Sequence, residues 1–529
     1  MAIGTTHTVS LHGATGHLID VQADVSPGSV ATTLVGRPDA SLNEARDRCR
    51  MAIANSGGEW PNTRRVTILL SPSDLLKRGT HFDLAIAIAV LGACGAVPTD
   101  SLADTLLIGE LTLTGGLRSV PGVLPMVMAG AARGYRRVIV PEPQVREAAM
   151  VPDVEVYGLR SLAQARAYLC GELVPDAAPV APMSGSRLIG WRGADRLDEH
   201  DLADLDGVAD VKDAMEVAAA GGHHLLLSGP KGAGKTSLAE RMPGLLPDLT
   251  SEEALELTAI HSLAGALEPG DELIVRPPFF APHHDASKAS LLGGGTGRVR
   301  PGEISRAHCG VLFLDEFPLF RSDVIDALRQ PLENGEVTIA RGEESATYPA
   351  RGMVVMACNP CPCGGYSPEP GGNKCTCIEA ARRHYQRRVT GPIQDRIDIV
   401  RHVLPPAPGN RAIPGERRES SADVRARVAL ARDRQRQRYA GRRWRLNSQV
   451  PSAVLARDFP LSDRARRRID EDLYAGRLSR RGAVRVHRLA WTVADLRGTD
   501  APDLDDVLVA LQLRQGAPML VDALQRRVS

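Results

Sequence analysis

The sequence predicts an α/β protein of about three domains, and three observations carry that prediction. The chain has 529 residues, where a domain takes roughly 100–200. Its composition breaks once, at Val174–Arg187, where Pro175, Pro179, Pro182 and Gly185 interrupt otherwise periodic sequence. Beyond that break a short apolar run, Leu225-Leu226-Leu227, is closed by Ser228 and a glycine-rich loop that leads into helix-compatible sequence.

Composition excludes more than it names. With 43% hydrophobic and 24% charged residues, and 64 Lys+Arg against 63 Asp+Glu, the chain is ordinary for a globular protein and its net charge points to no partner. Aromatic residues at 4% weigh against a base-stacking RNA binder. The most apolar stretch, Leu84–Val97, runs into Pro98 before reaching the roughly 18 residues of a membrane helix. Met1–Asp20 lacks the basic patch and apolar core of a signal peptide, so a cytoplasmic, membrane-free protein is expected. Nine Cys is an odd count, and four of them cluster, which in a reducing compartment favours a metal or thiol site over disulfides.

Along residues 1–172, short apolar stretches (Val66–Leu70, Val138–Val140) alternate with helix-length ones (Leu84–Gly95, Met126–Gly134), giving a first α/β or α+β domain. Residues 173–190 read as a linker, 191–405 as a second α/β domain, and 406–529 as a helical region. Between Glu416 and Arg445 there are 11 Arg against 4 acidic residues, a pattern that fits a basic helical lid or a solvated surface helix.

The second domain carries the chemistry. Gly229-Pro230-Lys231-Gly232-Ala233-Gly234-Lys235-Thr236, between strand and helix, is a phosphate-binding loop: its backbone N–H groups approach phosphate, Lys235 reaches the β/γ oxygens and Thr236 ligates Mg²⁺. Val311–Leu314 then runs into Asp315 and Glu316, which are expected to hold Mg²⁺ and to polarise the attacking water of ATP hydrolysis. A third strand, Met353–Ala357, ends in Cys358-Asn359-Pro360, and Asn359 is placed to sense the γ-phosphate. Arg396, set between Asp395 and Asp398, suits a residue that completes a neighbour's site, which requires an oligomer.

Cys361 and Cys363, eleven residues, then Cys375 and Cys377 supply four thiols from two short arms. Structural Zn²⁺, a reversible thiol switch and simple loop cysteines all fit; the paired ligands are one residue apart where two are usual. Val337–Arg341 and Ser345–Tyr348 read as a β-hairpin whose Arg341 either contacts a DNA phosphate or pairs with Glu343 or Glu344. The loop Phe279–Lys288, with His283, His284 and Lys288, is a second candidate DNA contact.

These residues together resemble AAA+ ATPases. Arg276-Pro-Pro-Phe-Phe-Ala-Pro-His283-His284, Leu291-Leu-Gly-Gly-Gly295, Arg300-Pro-Gly-Glu303 and Asn359-Pro-Cys361-Pro-Cys363-Gly364 are more specifically similar to the magnesium-chelatase-like ComM/YifB family. The resemblance covers nearly the whole chain. It implies a P-loop AAA+ ATPase core, a C-terminal helical lid with Arg481 in Leu478-Ser-Arg-Arg481 as a γ-phosphate sensor, and a hairpin like that of replicative MCM helicases. Ile108–Gly115 and Gly134–Pro141 imply a ribosomal-S5/Lon-protease-like N-terminal domain. A Lon-type protease needs a Ser nucleophile and a Lys; here the corresponding stretches read Lys77-Arg-Gly-Thr80-His81-Phe-Asp83 and Val120–Met126, without such a pair, so a scaffold or binding role is expected. Lys231, Val208 and His224 depart from the family's usual Pro, Gln and Asn. The implied function is a ring-shaped homo-oligomer, a hexamer by resemblance, that hydrolyses ATP to move single-stranded or branched DNA. Such a helicase or branch-migration factor would serve homologous recombination or natural transformation. The alternatives are a chelatase-type motor that remodels a protein for Mg²⁺ insertion into a tetrapyrrole, or an ATP-regulated assembly factor.

Overall fold

Burial alternates along Thr15–Ser26, with Ile19, Val21, Ala23 and Val25 turned inward, as expected of a strand with one face on a core. In the computed structural model, which describes residues 3–183, 200–295, 299–341, 344–366, 373–390, 393–404, 418–519 and 524, this strand sits in a seven-stranded mixed sheet. The spatial order is Ala31–Val35, Arg65–Ser71, Thr15–Ser26, Gly4–His12, Thr105–Leu107, Arg137–Pro141 and Glu155–Leu159. The helix Asp83–Ala93 is buried from Asp83 to Gly92, which explains an apolar run too uniform to be amphipathic. Its one charge, Asp83, is pushed up to about 6 by burial, against the pull of Arg48, whose Nε donates to it at 2.7 Å. The strands and helices expected before the linker are all found, shifted by a few residues at most. Thr80 donates its hydroxyl to Glu110, whereas the His81 ring bonds the Val9 carbonyl at 2.8 Å, so these neighbours take different partners.

The second sheet has five strands, in the order Phe279–Phe280, Val311–Leu314, Met353–Cys358, Leu225–Ser228 and Ile399–His402. Every pairing is parallel. Parallel strands are covered on both faces, so they read as unbroken apolar runs, and Val311–Leu314 and Met353–Cys358 are buried at every position. Helices Ala209–Gly221, Ser421–Arg438 and Arg480–Arg497 share one core with this sheet, through Ala214, Val217, Val424, Val428, Val486 and Leu489. Among the described residues no helix is long and apolar enough to cross a membrane.

The contacts that join the halves include a backbone bond and a side-chain carboxylate. The turn after Gly4–His12 donates the Ala14 N–H to Thr347 O of the hairpin Glu336–Arg341/Glu344–Pro349 at 3.4 Å. Half-buried Glu147 accepts the Ser262 hydroxyl at 2.5 Å and the Leu124 N–H at 3.0 Å; desolvation raises its pKa and these bonds oppose the rise. Ser262 lies on helix Ser251–Ala264, which starts at a Thr250/Glu253 capping box.

Asp398 fixes the C-terminal helices to the second sheet. Just before the strand Ile399–His402, it accepts the His224 N–H at 2.9 Å and the Arg485 guanidinium at 2.9 Å. Burial alone would raise its pKa, but Arg485 and His223 outweigh that and hold it well below the usual carboxylate range. Replacing one partner of a buried pair leaves the other charge uncompensated, so Asp398→Ala should lower stability by about 3–5 kcal/mol. The midpoint of denaturant unfolding measures this, and Asp398→Ala/Arg485→Met should regain part of the loss.

Candidate functional site

The apolar strand Leu225–Ser228 lifts the chain to the edge of the second sheet and ends in the glycine-rich loop. Gly234 caps the helix Lys235–Leu245 with φ +87°, a backbone that L side chains rarely adopt. With Gly at this position no side chain caps the helix, and its first N–H groups remain available to an anion. Lys235 Nζ donates to Gly229 O at 2.7 Å, Pro230 O at 2.9 Å and Asn359 Oδ1 at 3.0 Å. Burial lowers its pKa and Asp315 opposes the fall.

The neighbouring strand ends bring the remaining groups to the same edge. The Thr236 hydroxyl lies 3.0 Å from Asp315 Oδ2, the pairing that two ligands of one Mg²⁺ would make. Glu316 has φ +48°, a left-handed backbone that costs a non-glycine residue of order 1–3 kcal/mol. Its N–H donates to Asp315 Oδ1 at 2.8 Å, and its carboxylate stands 3.8 Å from His284 Nδ1. His284 is thus a neighbour of Glu316, although the sequence suggested only a loop contact to DNA. Lys288, at the start of helix Lys288–Leu292, is exposed. Residues Gly229 to Thr236, Asp315, Glu316 and Asn359 therefore converge on one edge, a donor set that fits a nucleotide phosphate and Mg²⁺.

Arg396 and Arg481 do not join them. Arg396 Nη2 lies 2.8 Å from Glu333 Oε1, and Arg481 Nη1 lies 3.8 Å from that same oxygen. Only two residues from Arg396, Asp398 bonds His224 at the start of the phosphate-loop strand, so both arginines belong to the opposite edge. Four strand residues separate the edges by roughly 13 Å at about 3.3 Å per residue. Glu333, at the end of the helix Arg329–Asn334 that leads into the hairpin, was not legible as a partner because nothing in its local sequence distinguishes it.

Arg341 closes the hairpin opposite Glu344; its side chain lies outside the described residues. The arginine-rich stretch is largely committed to docking. Arg427 holds Glu216 at 2.7 Å and Glu419 at 2.8 Å, Arg432 donates to Ala219 O at 2.7 Å, Arg438 grips Asp495 and Arg445 meets Glu252 at 2.5 Å. Neither an open basic face nor a simply solvated helix describes it.

The four cysteines come together. Cys361 and Cys363 sulfurs are 3.3 Å apart, Cys363 and Cys375 3.7 Å, and Cys375 and Cys361 3.5 Å, with Cys377 inside the same 4.8 Å cluster. None of these is a disulfide. Tetrahedral zinc with Zn–S near 2.3 Å would set its sulfurs about 3.8 Å apart, so the cluster has the right size. N–H groups of Gly365 and Thr376 push the Cys363 thiol down to about 5, towards the thiolate that binds metal.

Comparison with known proteins agrees along the chain. Residues 201–410 match the family described as magnesium chelatase, subunit ChlI; residues 21–144 match subunit ChlI of Mg-chelatase; and residues 418–514 match its ChlI C-terminal region. The chain is 43% identical over 519 residues to an uncharacterized protein of Mycobacterium tuberculosis, covering 97% of this chain and 99% of the other. It is 39% identical over 503 residues to YifB of Escherichia coli, and 38% over 499 residues to the competence protein ComM of Haemophilus influenzae. Each of these two alignments spans 94% of both chains.

The geometry separates two roles for the strand ends. Lys235→Ala removes the cation facing the phosphates and should abolish binding of a fluorescent ATP analogue, while Glu316→Gln should bind it normally and lose at least about 10²-fold in turnover. Unchanged hydrolysis in both variants would remove the assignment.

Proposed function

Because the chain belongs to the ComM/YifB family of magnesium-chelatase-like proteins, which implies an ATPase, we propose that it is a ring-forming, ATP-hydrolysing motor that moves single-stranded or branched DNA. The observation that carries the ring is the division of the site: Lys235, Thr236 and Asp315 on one sheet edge, Arg396 and Arg481 on the other. A group roughly 13 Å away across the strands does not reach a phosphate held at the loop. Head-to-tail association does bring the second edge of one copy to the first edge of the next, and repeated with closure it gives a ring. Arg396 and Arg481 then act together on the neighbour's γ-phosphate, with Glu333 holding them in register. Hexameric closure is the form expected of the family.

The DNA half of the proposal is supported by the name of a relative aligned over 94% of both chains, a competence protein, and by a two-stranded hairpin whose first strand ends in Arg341 and starts directly after the Glu333 helix. Residues 1–172 serve as a non-proteolytic ribosomal-S5/Lon-like domain and residues 406–529 as the helical lid. The cysteine cluster holds Zn²⁺. Helicase or branch-migration activity in recombination or natural transformation follows from this reading. The chelatase-type alternative is favoured by the ChlI description of all three matched segments.

DNA stimulation of ATP hydrolysis separates the two: a forked substrate should raise the rate, and a rate indifferent to single-stranded and forked DNA would favour the chelatase type. Subunits carrying Arg396→Ala, mixed with wild type, should depress activity more than in proportion to their share, whereas proportional loss would argue against action in trans. Arg341→Ala should weaken DNA binding across sequences, reduce the salt slope by about one contact per subunit and spare hydrolysis without DNA.

A further inference from the structure

The four-cysteine cluster lies against the phosphate loop. Cys361 follows Asn359 and Pro360 directly, and Asn359 is the side chain that bonds Lys235 Nζ at 3.0 Å. The turn Cys361–Gly364, closed by the Gly364 N–H on Cys361 O at 3.0 Å, brings Gly364 against the loop beside Asn359. Gly364 has φ +77°, and a Cβ placed on it would stand 3.3 Å from Lys231 Cβ and 3.6 Å from Lys231 N. The glycine therefore allows both the left-handed turn and the close approach. The second arm is joined to the first by the Lys374 N–H on Gly365 O at 2.9 Å, next to Cys375. Four thiols within 4.8 Å are otherwise linked by no covalent bond. An ion ligated by all four is what would tie the two arms together at their sulfurs.

We propose that zinc in this cluster is the brace of the phosphate loop, so that metal occupancy sets the affinity for nucleotide. The inference rests on the zinc reading above and adds its consequence. With the ion bound, the two arms are fixed, the Cys361–Gly364 turn is fixed, and Lys231 and Asn359 are held from behind. Without it, the sulfurs no longer tie the two arms together and the turn supports Lys231 less firmly, which loosens the backbone N–H array and the Asn359–Lys235 contact. Second-sphere contacts of this kind act on binding through geometry and not through contact with the ligand.

The test uses the full-length reduced protein. Zinc is measured by elemental analysis before and after dialysis against a zinc chelator, followed by return to Mg²⁺ buffer, and binding of a fluorescent ATP analogue is titrated in both forms with circular dichroism as a check on the fold. About one zinc per chain is expected, with nucleotide binding at least about tenfold weaker after its removal, recovered on adding one equivalent of Zn²⁺. Gly364→Ala tests the contact apart from the metal: it should keep its zinc and still bind the analogue several-fold more weakly, because its Cβ meets Lys231. A folded, zinc-free protein that binds nucleotide as tightly as the loaded one would overturn the brace while leaving the zinc site standing. A Gly364→Ala protein with full zinc and unchanged affinity would do the same. Absence of zinc from protein prepared anaerobically with reductant would overturn the zinc reading, and the brace with it.

Discussion

A sheet of short parallel strands, buried on both faces, confines its polar chemistry to the strand ends, and the arrangement of this protein follows from that constraint. Val311–Leu314 and Met353–Cys358 have no exposed position, so Asp315, Glu316 and Asn359 appear where the apolar runs stop, beside the phosphate loop. At the other ends of the same strands the chain must also satisfy its backbone groups, and there Asp398 takes the His224 N–H and anchors Arg485. One edge thereby gathers carboxylates and an ammonium, and the other gathers arginines. Neither edge holds both sets of groups, because the arginines on Glu333 lie a strand length from the loop.

The near-zero net charge has a related cause. Arginine is abundant after residue 416, yet the structure spends much of it internally: Arg427 bridges Glu216 and Glu419, Arg438 pairs with buried Asp495, and Arg432 is a donor to the main chain of helix Ala209–Gly221. A guanidinium offers five donors in a planar fork, so one side chain can close a helix–helix contact that Lys would leave partly unsatisfied. Charge counts along the sequence record these pairings and say little about any polyanion outside.

What was legible depended on range. The phosphate loop, the Asp315-Glu316 strand and Asn359 were readable because their signal is local, a switch from apolar to polar at one position. The fold class was readable for the same reason, from periodicity within single elements. The pairing of Arg396 and Arg481 on Glu333, the approach of His284 to Glu316 and the packing of Gly364 on Lys231 each join segments distant in sequence. Composition leaves no trace of such contacts. Cys361, Cys363, Cys375 and Cys377 were intermediate: their grouping was visible, but whether two arms bring four sulfurs together is a property of the folded turn.

The N-terminal domain is part of the same mechanics. Its sheet touches the hairpin through Ala14 and Thr347, and its helical face grips helix Ser251–Ala264 through Glu147 and Ser262, with the Gly122 N–H on Ser262 O at 3.1 Å. A half-buried carboxylate that accepts both a hydroxyl and a main-chain N–H is costly to separate from its donors, so these contacts favour docking over loose tethering. The hairpin is held on its other side by the Tyr348 hydroxyl on Val299 O at 2.7 Å, within a small apolar cluster that includes Leu11 and Leu263. The Ala346–Tyr348 end of the hairpin is therefore clamped between the N-terminal sheet and the helix that follows the phosphate-loop helix. A force applied at the Arg341 end is borne by that clamp and by the Glu333 helix that enters the hairpin, the helix whose Glu333 meets Arg396 and Arg481.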